Sequence, residues 1–120
     1  MANPFVHVEL NTNDPKRAET FYSHLFEWKL EPMAMGPDTY TVIKVGDGTG
    51  GGIMKQPVSG APSSWLAYVL VDDIQATTSK AKSLGAKILK DVTEVPGMGW
   101  YSVIADPTGA PLGLWKTKSM

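Results

Sequence analysis

Two residues near the start of the chain combine types and spacing that could do chemistry, His7 and Glu9. Side chains two positions apart in a β-strand point to the same face, so the imidazole and the carboxylate are expected to meet. A His–Glu pair can act as a general base without a metal, which makes both residues candidate catalytic groups. The same pair could equally be structural, because a carboxylate that faces a protein interior is rarely left unpaired.

The elements that must position this pair follow directly along the chain. We predict a strand from Phe5 to Leu10 and a helix at about 15–26, where Asp14 suits the N-cap and Pro15 the first helical position. Three further strands are predicted by β-forming residues and by turns rich in glycine and proline. They are Trp28–Met33, Tyr40–Val45 and Gly52–Gln56.

The pattern restarts after a segment rich in proline and serine at 57–64, which we interpret as a linker. Asp73 is expected to cap a second helix at about 73–84, and Gly85 suits the position just beyond its end. The strands predicted around this helix are Trp65–Val71, Ala86–Leu89, Trp100–Ala105 and Leu112–Lys116.

A letter-by-letter comparison supports an internal repeat. Tyr40-Thr41-Val42-Ile43 matches Tyr101-Ser102-Val103-Ile104 at an offset of 61, and the segment 48–55 matches 109–116 at the same offset. Asp14 and Asp73 differ by 59 positions, so we expect the two-residue drift to lie in the helix or in loops. The sequence therefore predicts one α+β domain over 1–120, made of two βαβββ modules at 4–57 and 62–117.

The composition limits the possible functions. The 120 residues carry a net charge of −1 and no cysteine, which excludes disulfides, thiolate catalysis and cysteine-ligated metals. The sequence contains no basic stripe of the kind that predicts nucleic-acid binding. It also contains no apolar run that approaches the roughly 18 residues of a membrane span. The first residues do not resemble a signal peptide, so we expect a cytoplasmic protein without nucleic-acid or membrane partners.

Several motifs resemble the vicinal oxygen chelate superfamily, which includes glyoxalases, extradiol dioxygenases and bleomycin-resistance proteins. These motifs are His7-Val8-Glu9-Leu10-Asn11-Thr12-Asn13-Asp14-Pro15 with Ala18 and Phe21-Tyr22, then Val71-Asp72-Asp73-Ile74, and Ala105-Asp106-Pro107-Thr108-Gly109. The resemblance implies a cup-shaped mixed sheet, often in a homodimer. It also implies four metal-ligand positions, two per module, which fall on His7, Gly52, Leu66 and Gly113.

Three of these four positions lack a side-chain donor, whereas a catalytic divalent metal usually needs three protein ligands. We therefore predict no metal cofactor and expect Gly52 and Gly113 to leave open space, so that leucine there would fill a pocket without unfolding the chain. The expected function is binding of a small organic molecule. The predicted ligand-binding residues are His7, Glu9, Gly52, Leu66, Tyr68, Trp100, Gly113 and Trp115.

Two alternatives from the enzyme class stay open. The first is a metal-dependent lyase, isomerase or dioxygenase of the same superfamily, and the second is a metal-free enzyme that uses His7 and Glu9 as acid and base. The assembly expected from the resemblance and from exposed sheet edges is a homodimer.

Overall fold

The structure, a computed structural model, describes residues 2–35, 38–57 and 60–118. Within these ranges, two helices and eight strands follow one another in the order β1 (Phe5–Thr12), α1 (Pro15–Leu25), β2 (Lys29–Met35), β3 (Asp38–Lys44), β4 (Gly51–Lys55), β5 (Ser64–Leu70), α2 (Ile74–Ser83), β6 (Lys87–Val95), β7 (Gly99–Ala105) and β8 (Pro111–Thr117). Part of the predicted linker, residues 58 and 59, lies outside the described residues. Neither helix has the length and apolar character needed to cross a bilayer.

The chain forms two compact units whose bounds differ from those of the repeats. The first unit is His7–Leu66, and the second unit joins the residues up to Val6 to those from Ala67 onward. Within the second unit, the Leu70 N–H donates to the Pro4 carbonyl oxygen at 2.9 Å, so the first residues of the chain are hydrogen-bonded to β5. The repeat bounds 4–57 and 62–117 stay a prediction.

The first unit contains strands in the order β2-β3-β4-β1, with mixed pairing. β3 is antiparallel to β2 and β4, and β1 is parallel to β4. Helix α1 begins as predicted, since Asp14 accepts a hydrogen bond from the Arg17 N–H at 3.1 Å and Pro15 occupies the first turn. The core on the helix side of these strands is formed by Leu10, Ile43 and Ile53.

The second unit repeats this arrangement with the strand order β5-β8-β7-β6. Asp73 caps α2 by accepting from the Ala76 N–H at 3.0 Å, as predicted. Gly85 follows the helix with a φ of 103°, a left-handed conformation that glycine adopts without strain. The core here consists of Val71, Ile74, Ile104 and Leu114.

The pairing registers within the two units confirm the repeat. Glu9 pairs with Gly52, which pairs in turn with Val42. In the second unit Tyr68 pairs with Gly113, which pairs with Val103. Each residue of the second triplet is the repeat mate of one in the first, so the strands agree in position as well as in type. The predicted α+β fold of two βαβββ modules is confirmed.

The drift between the repeats lies only partly where we predicted it, because much of it falls inside a strand. β6 extends to Val95 rather than ending at Leu89, and its pairing with β7 shifts twice, between Ile88 and Lys90 and between Lys90 and Thr93. The corresponding strand β2 shows a continuous register. Extra residues are thus accommodated as β-bulges inside a strand, which a comparison of letters cannot distinguish from a longer loop.

Candidate functional site

Three polar side chains form a hydrogen-bonded chain on the first unit's sheet, on the face opposite α1. His7 Nε2 lies 2.6 Å from the Tyr40 hydroxyl oxygen, and this hydroxyl donates to Glu9 Oε2 at 2.9 Å. Strand alternation explains why these side chains meet. Gly52 pairs with Glu9 on one side and with Val42 on the other, so these residues are in register. Tyr40 lies two residues before Val42 and therefore points to the same face of the sheet. The predicted pair thus meets through a third residue, and we refer to the three as the His7–Tyr40–Glu9 network.

The direction of these hydrogen bonds follows from counting protons. A tyrosine hydroxyl carries one hydrogen, and Tyr40 donates it to the Glu9 carboxylate. His7 therefore carries a proton on Nε2 and donates it to the Tyr40 oxygen. Burial lowers the pKa of His7 from its ordinary value of 6.5, because a charged imidazolium loses hydration there. His7 is thus a neutral hydrogen-bond donor at neutral pH.

This lowered pKa predicts a pH dependence of stability. Below pH 6.5 the unfolded chain binds a proton at His7 more readily than the folded chain does, so the free energy of unfolding falls as the pH drops from 6.5 toward the lower folded value. Urea unfolding measured from about pH 7.5 to about pH 5.5 should show this loss, and His7→Gln should reduce it. An identical pH dependence in the two proteins would contradict the assignment.

The prediction of open space at Gly52 is wrong. A methyl group added there would overlap the Tyr40 ring and hydroxyl, so the tyrosine occupies the position above this glycine. Gly52 permits the close approach that lets the Tyr40 hydroxyl reach both His7 and Glu9. The glycine is therefore part of how the network is built.

Gly113 in the second unit is covered in a similar way. A methyl group at Gly113 would overlap the ring of its register partner Tyr68, which is buried. Tyr68 also contacts Tyr101 edge-to-face, with ring centroids 6.4 Å apart. The expectation that Gly113 enlarges a pocket is thus also wrong, for the same physical reason.

Two predicted tryptophans lie on different faces of the second unit's sheet. Trp100 shares a face with Ser102 and packs against the helix-side core, so it does not face the same way as Tyr68 and Gly113. Trp115 pairs with Tyr101 on the Tyr68 face and donates through its indole N–H to Thr117 at 3.1 Å. Strand parity therefore favours Tyr101 over Trp100 as a binding residue.

The residues at the four positions implied by the family do not fit a divalent metal. His7 Nε2 donates to Tyr40, Leu66 is a buried apolar residue, and both glycines lie under tyrosine rings. Within the described ranges 2–35, 38–57 and 60–118, no three His, Cys, Asp or Glu side chains lie close enough together to hold a metal ion.

Sequence reasoning missed Tyr40 as a site residue. It was identified only as a β-former and as the repeat mate of Tyr101. The sequence does contain a signal, because Tyr40 lies two residues before Val42 and twelve before Gly52, the repeat mate of Gly113. Together with the pairing of Gly52 with both Val42 and Glu9, this spacing places the Tyr40 ring on the face of Glu9.

The chain belongs to the Glyoxalase/Bleomycin resistance protein/Dioxygenase superfamily, whose sequence pattern matches residues 5–114. It is 34% identical over 109 residues to CFP32 of Mycobacterium tuberculosis, which is named as a candidate glyoxylase; the match covers 90% of this chain and 42% of CFP32. It is also 24% identical over 123 residues to the anthracycline biosynthesis protein DnrV of Streptomyces peucetius, covering 90% of this chain and 45% of DnrV. The chain thus spans less than half the length of these curated relatives.

Solved structures share the fold at low identity. The Bacillus halodurans protein BH1468 has a TM-score of 0.75 and 12% identity, with 100% of this chain and 98% of that chain covered. The methylmalonyl-CoA epimerase from Mycobacterium tuberculosis has a TM-score of 0.70 and 14% identity, with 94% and 87% covered. These likenesses establish the fold, and the activity has to be argued from the site.

Proposed function

We propose that this protein binds a small organic molecule on the first unit's sheet face, with the His7–Tyr40–Glu9 network as its polar contact. The observation that carries the proposal is the pair of hydrogen bonds made by the Tyr40 hydroxyl, at 2.6 Å and 2.9 Å. Polar groups that hydrogen bonds hold in fixed positions are typical of small-molecule sites. The network also engages His7, the one family ligand position that has a donor atom, in a contact that needs no metal.

The chemistry of the network indicates what it would recognise. The Glu9 side chain is buried, and a carboxylate accepts hydrogen bonds and donates none. A ligand with a hydroxyl or amide hydrogen suits such a group better than an anion does. The neighbouring rings of Tyr40 and His7, stacked with centroids 6.3 Å apart, favour a flat ligand. An anthracycline, the class named for the relative DnrV, combines hydroxyl groups with a flat aromatic skeleton and is a suitable first probe.

We expect titration with an anthracycline, followed by amide chemical shifts, to perturb residues around His7, Glu9 and Gly52. Tyr40→Phe removes both hydrogen bonds of the network while keeping the ring, so it should weaken binding about tenfold, which corresponds to about 1.4 kcal/mol. Tyr22→Phe is the matched control, since Tyr22 lies with the helix-side aromatic rings and its hydroxyl is not part of the network.

Two results would contradict this proposal. One is a set of perturbed amides confined to other parts of the chain, and the other is equal affinity of the wild type and the Tyr40→Phe variant. A chelator such as EDTA should leave the affinity unchanged, because the network binds through protein hydrogen bonds. A requirement for one tightly held divalent ion per chain would favour the metal-dependent lyase, isomerase or dioxygenase instead.

The hydrogen-bonded chain also supports a second candidate, a metal-free acid–base enzyme. Glu9, Tyr40 and His7 are linked by hydrogen bonds at distances over which protons transfer, and the Glu9 carboxylate at one end of this chain is the group able to accept a proton. In heavy water such an enzyme would introduce deuterium at the substrate carbon from which it removes a proton, and His7→Ala would abolish that exchange. Binding of the anthracycline without any exchange would favour the binding protein.

A further inference from the structure

The first unit contains an apolar cavity of about 280 Å³. Its floor is the helix-side face of the sheet, represented by Val8, Ile43 and Val45, and Ile43 also belongs to the core under α1. The indole rings of Trp28 and Trp65 form its walls. The proposed ligand site lies on the other face of the same sheet, so the cavity is a separate feature.

Neighbouring aromatic rings hold the two walls in place. Trp28 and Trp65 contact each other edge-to-face, with ring centroids 6.3 Å apart. The Tyr22 ring of α1 lies 5.6 Å from Trp28 and 5.5 Å from Trp65, and Phe26 lies 4.8 Å from Trp28. Trp65 is nevertheless 40% exposed. An indole ring that is ordered by its neighbours and still partly open is pre-organised for a further aromatic contact.

The floor of the cavity lacks a side chain that the second unit has. Gly50 and Gly51 line the cavity where β4 begins, and their repeat mates at the offset of 61 are Pro111 and Leu112. Leu112 packs against the core of the second unit. The first unit has no side chain at the equivalent position, and this missing volume contributes to the cavity.

The wall formed by Trp28 is also particular to the first unit. In the pairing with the neighbouring strand, Leu30 takes the place that Ile88 takes in the second unit. Trp28 and Ala86 each lie two residues before these positions, so the first unit has a tryptophan where the second has an alanine. Ala86 packs against the core of its unit, so the fold does not require a ring here. A ring added to the wall and side chains absent from the floor together favour a binding cavity.

We propose that this cavity binds an uncharged bicyclic aromatic molecule, such as one with an indole or naphthalene skeleton. The size follows from the volume, because an apolar cavity of about 150 Å³ holds benzene and this cavity has nearly twice that volume. The flat shape follows from the walls, because a planar ring can lie edge-to-face or offset-stacked against an indole. The inference goes beyond the proposed function, since it concerns a second ligand and different residues.

The lining of the cavity indicates that the ligand carries no charge. Among the described residues that line it, none is Asp, Glu, Lys or Arg. A charged ligand would lose hydration in the cavity and would find no opposite charge to compensate for that loss. An uncharged aromatic molecule avoids this cost and gains from the burial of its own apolar surface.

Indole is a soluble probe for this site, and each tryptophan side chain reports on its binding separately. In the isotope-labelled full chain we expect saturable shifts of the indole N–H resonances of Trp28 and Trp65, with a dissociation constant of about 0.1–1 mM. The resonances of Trp100 and Trp115 are internal controls, because neither residue lines the cavity. Shifts of every tryptophan without saturation, or no shift at about 5 mM indole, would overturn the proposal.

Val45→Phe tests where the probe lies. The added ring fills the cavity from its floor, so it should weaken indole binding by about tenfold or more. Position 51 cannot serve this purpose, because a methyl group at Gly51 would overlap the Val8 carbonyl group. Lys44→Phe is the matched control, since Lys44 is the exposed neighbour that points to the opposite face, and it should leave the affinity unchanged. Equal affinities of the two variants would contradict the proposal.

Trp65→Ala tests the same location if circular dichroism shows that Val45→Phe does not fold. It removes a partly exposed wall and should weaken indole binding by about fivefold or more. Tyr40→Phe alters the proposed ligand site on the other face and should leave indole binding unchanged, so the two proposals can fail separately. Indoleacetate adds a negative charge to the same ring system and should bind about tenfold more weakly than indole. Equal affinity for the two probes would overturn the assignment to an uncharged ligand.

Discussion

Replacing Gly113 with alanine is expected to lower the free energy of unfolding by about 2–3 kcal/mol, the cost of overfilling a packed core. Alanine is tolerated at least as well as glycine in a β-strand, so the residue itself does not explain such a loss. The cause is the buried Tyr68 ring, which the new methyl group would overlap. Urea unfolding followed by circular dichroism measures the effect.

A double-mutant cycle separates this steric cause from others. In a Tyr68→Ala background the space above position 113 is vacated, and the further cost of Gly113→Ala should fall to about zero. A cost that persists in the Tyr68→Ala background would show that the ring is not responsible. Equal stability of Gly113→Ala and the wild type would revive the original expectation that this position can take a larger residue without loss of the fold.

The second large effect is expected from Ile53→Ala, at about 3–4 kcal/mol, because it removes buried methylene groups and leaves a cavity. Ile53 is fully buried on the central strand β4, between Leu10 of β1 and the neighbouring strand β3, and contributes to the core under α1. Thermal and urea unfolding should both report the loss, with circular dichroism confirming that the variant still folds at low temperature.

Met54→Ala is the control for Ile53→Ala, because Met54 is the next residue of the same strand and points to the opposite face. Met54 is only half-buried, so its replacement should cost less than about 1.5 kcal/mol. Similar losses for the two variants would mean that β4 is equally packed on both faces, contrary to the helix-side core described above.

The repeat accounts for most of what could be predicted from sequence. Tyr40-Thr41-Val42-Ile43 and its mate at 101–104 both form the central part of a strand, and the predicted strand bounds agree with the observed bounds to within a few positions except at the end of β6. Asp14 and Asp73 both cap helices. Local hydrogen-bonding preferences and hydrophobic alternation are properties of the residues themselves, which is why these elements were accessible.

The candidate site was less accessible for a different reason. His7 and Glu9 were identified by residue type, but the role of Gly52 depends on which neighbouring side chain folds over it. That outcome is decided by the rotamer of Tyr40, a long residue on an adjacent strand, and no local pattern encodes it. Glycine in a strand has two opposite explanations, open space or close approach of a neighbour, and only the structure decides between them.

Strand parity was the other limit. Trp100 and Tyr101 are adjacent aromatic residues, and one of them must face the helix while the other faces away. The packing of the strand decides this choice: Ser102 contacts Thr78 of α2 at 2.9 Å, which assigns Trp100, two residues earlier, to the helix side. A single hydrogen bond to a helix is thus enough to orient the whole strand.

The way in which the chain is divided between the two units has a consequence for its synthesis. The first unit, His7–Leu66, is continuous, so all of its strands are present once the ribosome has passed residue 66. The second unit needs the residues up to Val6, and Asn3 and Pro4 must wait for Leu70, which for Asn3 lies 67 positions later, to form their hydrogen bonds. Residues 3 and 4 therefore reach these partners only after the first unit has been synthesised, so a deletion of residues 2–6 should slow completion of the second unit while leaving the first free to fold.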